Sequence, residues 1–401
     1  MEAGAGVSGQ AEQDRQEERP EQDDGQRDEV FGVEKRKAII GVVIALGLSV
    51  GATAVIGQVT SYHKLLNALQ HAQKWWLPLC LLGLAVAYSG YIVAYRSVAR
   101  ADGGPQFDYW IAGRVVALGR GAYVLGSAAG GLGTDFWAMR RAGAETHEAA
   151  RRTLALNTLH AAGLAVFAVG AGGYVLLVGP TDHTSKLMAI VWVCAAPAAV
   201  IGARIVSDER LAPRLLQAPD DEERPSSVDV RAWAHWLANK LRKGFADAVG
   251  GVVYVRDVLH HPVRYLGGLM GFPLYWLGDF FILWVALHAF GSHLSPARLI
   301  VAEASAWALS FLPLPAGGSG VAETVVAFTL HAVGVPLSIS LFAALTYRGI
   351  NFWLPLLPAL ALLPRVPQLQ EDLTHVERAE RDEDAPIHAD LGSDGGGESE
   401  S

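Results

Sequence analysis

The sequence predicts an all-α polytopic membrane protein, with six full spans and two re-entrant helical hairpins arranged as an inverted repeat. Three observations predict it. Hydrophobic residues make up 51% of the 401, and mean hydropathy is positive at +0.25, beyond what a soluble core requires. Six apolar stretches reach the ~20 residues that cover a ~30 Å hydrocarbon layer. A glycine-rich motif also occurs twice, once in each half, between apolar arms too short to cross.

The chain opens on an acidic tail, residues 1–34, with eleven Asp/Glu against three Arg. A second acidic tail, 366–401, closes it with eleven against two. The net charge of −8 therefore hides a body, 35–365, of +9. Both tails have the polar, aromatic-poor composition of disorder. A positive body favours contact with anionic lipid. Thirty acidic residues precede the first apolar run, so no cleavable signal peptide is expected and Ala38–Ile56 reads as a retained anchor.

The full spans are Ala38–Ile56, Leu77–Tyr95, Thr153–Val178, Leu187–Val206, Tyr265–Phe290 and Leu337–Leu363. A short interfacial helix with Tyr62, Leu65, Leu66 and Leu69 leads to the aromatic pair Trp75-Trp76. Lysine and arginine collect on one side of these spans: Lys35 to Lys37, Arg96, Arg100, Arg140, Arg141, Arg151, Arg152, Arg204, Arg210, Arg214, the 231–264 region and Arg365. Only Lys64, Lys74, Lys186 and Arg298 face the other way. The expectation is a multi-pass protein of the cell (inner) membrane with both termini cytoplasmic.

Between the spans lie the two hairpins. Leu299–Leu312 and Val321–Val333 hold 14 and 13 residues, about 20 Å of helix each, which does not cross. Pro313 and Pro315 forbid continuous helix between them. This hairpin enters from outside. Trp110–Ser127 and Thr134–Arg141 are expected to form its counterpart from the cytoplasm, although Arg114 and Arg120 sit in the first arm. A plain hydropathy count returns seven or eight segments. Within the cytoplasmic stretch 207–262, Val228–Val253 places Trp233, Leu237, Leu241, Phe245 and Val249 opposite Lys240, Arg242 and Lys243. That is a basic amphipathic helix, suited equally to an anionic leaflet or to the protein's own underside.

No reaction motif appears. Gly317-Gly318-Ser319-Gly320-Val321 misses the nucleophile elbow by its last residue, and Gly131-Leu132-Gly133 lacks the third glycine of a dinucleotide fingerprint. Cys80 and Cys194, isolated in apolar segments, indicate neither disulfide nor metal. His160, His288 and His331 read as bundle histidines hydrogen-bonded internally. The expectation is a non-enzyme without a cofactor.

Ionisable residues at membrane depth are the better clue, because each costs several kcal/mol unless paired or solvated. Glu323 lies in the first turn of a half-helix, Arg348 midway along the last span, Asp279 in mid-span and Glu303 in a hairpin arm. Arg348 has three open readings: a permanent ion pair with Glu323 or Asp279, a ligand for lipid phosphate, or an alternation between the two. Glycines at a half-helix N-terminus offer free N–H groups and close approach to an anion. Candidate substrate-binding residues are therefore Gly130, Gly131, Gly133, Asp135 and Arg140 in the first half. In the second they are Pro315, Gly317, Gly318, Gly320, Glu323 and Arg348.

Phe311–Pro364 carries Leu312-Pro313-Leu314-Pro315-Ala316-Gly317-Gly318-Ser319-Gly320-Val321-Ala322-Glu323, then Gly334-Val335-Pro336, Tyr347-Arg348 and Phe352-Trp353. This run resembles the transmembrane domain of the lysylphosphatidylglycerol synthase family of flippase-like integral membrane proteins. The chain inserts Ala316 before the double glycine. Gly130, Gly131, Gly133, Asp135 and Arg140 resemble the family's first motif more loosely, and Asn157 stands where an arginine is expected. The resemblance spans about 35–365. It implies the lipid-flipping half of such proteins, which in two-part members flips an aminoacylated phospholipid, without the C-terminal synthase domain. The expected partners are membrane lipids, anionic or phosphate-bearing, and no nucleic acid. The alternative is a non-catalytic accessory subunit of a separate lipid or cell-envelope biosynthesis enzyme.

Overall fold

A computed structural model describes residues 73–179, 182–206, 265–309 and 321–384, with 29–30, 33–34 and 70 besides. The expected Ala38–Ile56 span, the interfacial helix before Trp75, the Val228–Val253 helix and the Pro313–Gly320 loop lie outside the described residues. Apart from a two-residue ladder pairing β1 (Glu29–Val30) with β2 (Val33–Glu34), the described chain is helical. Four stretches are long and apolar enough to cross a membrane: 77–99, 146–177, 266–289 and 337–376.

Helix α1 (Leu77–Ala99) and helix α5 (Leu266–Ala289) form the spine. They run antiparallel, backbone against backbone. A Cβ on Gly90 or on Gly271 would stand 2.5 Å from the other's carbonyl oxygen, and one on Gly278 would stand 2.5 Å from that of Gly83. Gly83, Ala87, Gly90 and Ala94 line α1, and Gly267, Gly271 and Gly278 line α5. Small residues on facing stripes are how helices gain close dispersion contact where hydrocarbon offers no hydrophobic drive. The spine carries Tyr88 and Tyr91 of α1 to the level of Tyr275 and Asp279 of α5.

Helix α2 (Tyr109–Arg141) is 33 residues long yet is not a rod. Straight helix would hold Gly119 and Asp135 about 24 Å apart. A Cβ on Gly119 would instead lie 3.7 Å from Asp135 Oδ1, and one on Gly130 would lie 2.1 Å from the Ala122 carbonyl oxygen. The chain doubles back between Val124 and Gly130. The expected glycine break at 128–133 is corrected by this: Gly130 and Gly131 are helical, and they serve the packing of the second arm on the first.

Helix α3 (Thr146–Leu177) runs from the base of this hairpin to the opposite end of the bundle, and α4 (His183–Val206) returns. At the first end Arg152 is fully buried and donates to the carbonyls of Val98 (3.0 Å) and Ala99 (2.5 Å) and to Glu148. It satisfies the carbonyls that α1 leaves open at its C-terminus. At the other end Arg298 pairs with Asp182 at 3.4 Å.

Helices α6 (Pro296–Leu309) and α7 (Val321–Ala332) lie side by side. Arg298, in the first turn of α6, donates to the Val333 carbonyl just past α7, so their open ends meet beside Asp182. The α2 hairpin opens at the other end, where Arg96 donates to the Phe107 carbonyl at 2.6 Å and Arg140 to that of Ala144 at 2.6 Å. Each hairpin hands over to the next helix through the same turn. Gly143 (φ 97°) and Gly334 (φ 99°) take the left-handed conformation that glycine permits. Ala144 N–H then reaches the Met139 carbonyl, and Val335 N–H that of Leu330, each at 3.1 Å. Both are Schellman caps.

Helix α8 (Leu337–Arg348) continues through a π-helical turn, Gly349–Trp353, into α9 (Leu356–Leu362). Pro355 has no N–H to give the carbonyl of Asn351, which widens the helix there. The expected disordered tail from residue 366 is corrected through Asp384, because Val366–Asp384 forms α10. Its Leu369 and Leu373 are buried with α2 residues, and Asp372 bonds Arg114 at 2.5 Å. Charge composition hid an apolar edge at four-residue spacing.

Candidate functional site

The spine, both hairpins, α3 and α8 each send polar side chains to one buried cluster. Asp279, in the middle of α5, is its hub. Tyr347 Oη donates to Asp279 Oδ2 at 2.8 Å, and Asn351 Nδ2 to Oδ1 at 2.5 Å. Asn351 shares this face with Tyr347, four residues before it and one helical turn away. Glu303 of α6 is 3% exposed and stands within reach of Asp279 and Tyr347.

From the opposite end, the first arm of α2 delivers Arg120. Its guanidinium lies over three tyrosine rings, 5.8 Å from Tyr88, 5.1 Å from Tyr91 and 5.2 Å from Tyr275. Ring quadrupoles stabilise a desolvated cation by roughly 2 kcal/mol each at best. Asp135 of the second arm and Asp279 supply the opposing charge. His160 of α3 stacks on Trp276, ring centroids 4.8 Å apart, while the Trp276 indole donates to the His160 carbonyl at 2.8 Å.

Glu323 of α7 is 2% exposed and faces Arg348 Nε at 3.6 Å. Arg348 also lies 4.0 Å over the Phe352 ring, and its Nε and Nη2 have no hydrogen-bond acceptor among the described residues. Its attraction reaches Asp279 as well. The arginine is held by charge and a ring face rather than by a complete set of acceptors. It retains donors for a further anion.

The structure brings Asp135, Glu323 and Arg348 to this cluster and leaves other predicted residues apart. Gly130 and Gly131 lie between the arms of α2, while Gly133 is exposed and a Cβ added there would meet nothing within 4 Å. Arg140 is exposed at the hairpin base, bonded to Ala144. Pro315, Gly317, Gly318 and Gly320 lie outside the described residues. His288 and His331 are bonded to the Trp284 and Val335 carbonyls, each at 2.8 Å.

Sequence reasoning missed Arg120 as a site residue, together with Tyr88, Tyr91, Tyr275 and Asn351. One signal was available: tyrosines at 88, 91 and 95 put hydroxyls on one face of an otherwise apolar span. A buried hydroxyl needs a partner, so a tyrosine-lined face anticipates a polar interior.

Comparison with curated proteins returns no match. Residues 39–359, four-fifths of the 401, match the family described as Lysylphosphatidylglycerol synthase TM region. The chain is a membrane protein of lipid-related type, and it belongs to that family.

Proposed function

We propose that this protein moves a phospholipid-like amphipathic molecule between leaflets, without chemical change to it. One observation carries the reading: the two hairpins open at opposite ends of the bundle, and between them Arg120 of the α2 hairpin and Arg348 of α8 come within electrostatic reach of one buried carboxylate, Asp279. On this reading α1–α2–α3 and α5–α6–α7–α8 are inverted repeats, both hairpins are re-entrant, and the basic end is cytoplasmic in the inner membrane. The cap glycines Gly143 and Gly334 support the repeat.

Transport then requires a headgroup to exchange one set of buried partners for another. Arg348 supplies donors to a phosphate. Glu323 neutralises the arginine while the site is empty, and Asp135 and Glu323 oppose an amine where the headgroup carries one. Guanidinium suits phosphate because it stays charged and offers paired N–H groups. The glycine loop 317–320 would add backbone donors.

The test is reconstitution of the full chain into phosphatidylethanolamine vesicles carrying trace tail-labelled phosphatidylglycerol or its lysyl ester. Dithionite quenching of the outer leaflet then reports exchange. The expected result is protein-dependent exchange of one label, lost in a folded Arg348→Gln variant. Exchange no faster than in protein-free vesicles for both labels sinks the reading.

A further inference from the structure

The cluster holds four buried carboxyls, Asp135, Asp279, Glu303 and Glu323, against two guanidiniums, Arg120 and Arg348. Their distribution is uneven. Glu323 has Arg348, Asp135 has Arg120, and Asp279 feels both arginines. Glu303 has neither; among the described residues the groups acting on it are Asp279, Tyr347 and Tyr275. An unpaired carboxylate in an apolar interior is so costly that the group neutralises instead.

Hydrogen-bond inventory leads to the same place. Neither oxygen of Glu303 accepts a bond from a described residue. Tyr347 has one O–H, and it is given to Asp279 Oδ2. Asn351 Nδ2 is committed to Asp279 Oδ1 and Tyr347 Oη. Two carboxyl groups in reach of one another, both 3% exposed or less, receive no donor between them from the described residues, which leaves that place to a proton on one of them. Like charges this close do not both ionise.

We propose that Asp279 and Glu303 form a proton-binding site holding one exchangeable proton between them. Loading forms a single carboxyl O–H bond from a hydronium ion of bulk water, and unloading breaks it and returns the proton to water. The groups facing the pair are Tyr88 of α1, Arg120 of α2, Tyr275 of the same helix as Asp279, and Tyr347, Arg348 and Asn351 of α8 and its π turn, with Glu323 of α7 behind Arg348. Asp135 and His160 stand behind Arg120. The site goes beyond the transport reading and does not depend on it. Where transport holds, Arg348 links the two, because Asp279 and Glu323 share its charge.

The experiment is pH-difference infrared spectroscopy of the full chain in phosphatidylethanolamine–phosphatidylglycerol vesicles. The wild type is expected to show the carbonyl stretch of a buried carboxylic acid, shifted on exchange into D2O. Glu303→Gln should remove it, Asp279→Asn should shift its frequency by removing the carboxylate that shares the proton, and Glu323→Gln should leave it. Tyr347→Phe keeps both acids and should retain the band at a changed frequency, so the test survives a variant that fails to fold. A folded wild type with no exchangeable band, or a band indifferent to both Glu303→Gln and Asp279→Asn, overturns the site. A band that behaves as expected in protein that moves no lipid counts against the transport reading alone.

Discussion

The two hairpins share their backbone and differ in their charge. Counting from the cap glycines, Arg348 lies fourteen residues after Gly334 and Glu323 eleven before it. The same steps from Gly143 reach Asn157 and Leu132. The second half has a buried ion pair where the first has an amide and an aliphatic chain. The first half instead contributes Arg120, held among rings supplied by the spine. On the inverted-repeat reading proposed above, the electrostatics of the two halves have specialised, which is what a site with two unlike sides needs.

The largest test erases that difference. Glu323→Leu and Arg348→Asn give the second half the residues of the first. Each alone strands a buried charge and is expected to cost ~3–5 kcal/mol, while the double variant should return close to wild-type stability. Lipid exchange should stay lost in the double variant. A double-mutant cycle read by thermal unfolding in detergent and by the leaflet assay separates the two roles. Recovery of both stability and exchange would reduce the pair to a structural strut.

The next test concerns how each hairpin closes. Gly130→Ala places a methyl against the Ala122 carbonyl and should cost ~1–3 kcal/mol through overpacking. Gly133→Ala, one turn on and open to space, should change stability by less than ~0.5 kcal/mol. If the two are equal in thermal unfolding, the first hairpin does not fold back as described.

This contrast also shows what was legible in the sequence. Glu303, Glu323, Asp279 and Arg348 were visible because a charge in an apolar run is conspicuous at one position. Arg120 was equally visible, yet it counted against its hairpin. Its stabilisation comes from tyrosines 29 and 32 residues before it and 155 after, and local composition cannot report rings brought from other helices. The motif A-G-G-x-G misled on register. It paired Asp135 with Glu323, whereas the caps pair Leu132 with it, because Gly143 follows Gly133 by ten residues and Gly334 follows Gly320 by fourteen. Helix α10 was read as tail since its charge outweighs Leu369, Leu373 and Val376, whose partners lie more than 200 residues away in α2.

A smaller effect tests the shared caps. Gly143→Ala and Gly334→Ala each force a side chain into left-handed backbone, at ~1–2 kcal/mol. The two costs should agree within ~0.5 kcal/mol if the turns are equivalent. Gly334 has a second neighbour, since a Cβ there would lie 3.1 Å from Arg298 Nη2. A markedly larger loss at Gly334 would show that the second hairpin's base carries more than its cap.

The smallest effect is a pH dependence confined to that base. Arg96 and Arg140 secure the first hairpin through backbone carbonyls, whereas Arg298 in the second also meets the Asp182 carboxylate. Burial on its own would raise the Asp182 value. The hydrogen bond from the Ser185 N–H at 3.0 Å and the charge of Arg298 outweigh burial and hold it below the ordinary range. A carboxyl depressed on folding stabilises the native state above its unfolded value, ~3.9, and loses that contribution as pH falls through the folded value. With a side chain 35% exposed, solvent screening keeps the effect slight. Asp182→Asn should therefore lower the midpoint of thermal unfolding slightly at pH 7 and by progressively less on acidification below ~4. Hydrogen exchange should place the loosening in the first turns of α4 and α6, with the base of α2 unchanged. Equal loosening at both bases would mean that the hairpins are mechanically coupled, and the independence assumed in comparing them would fail.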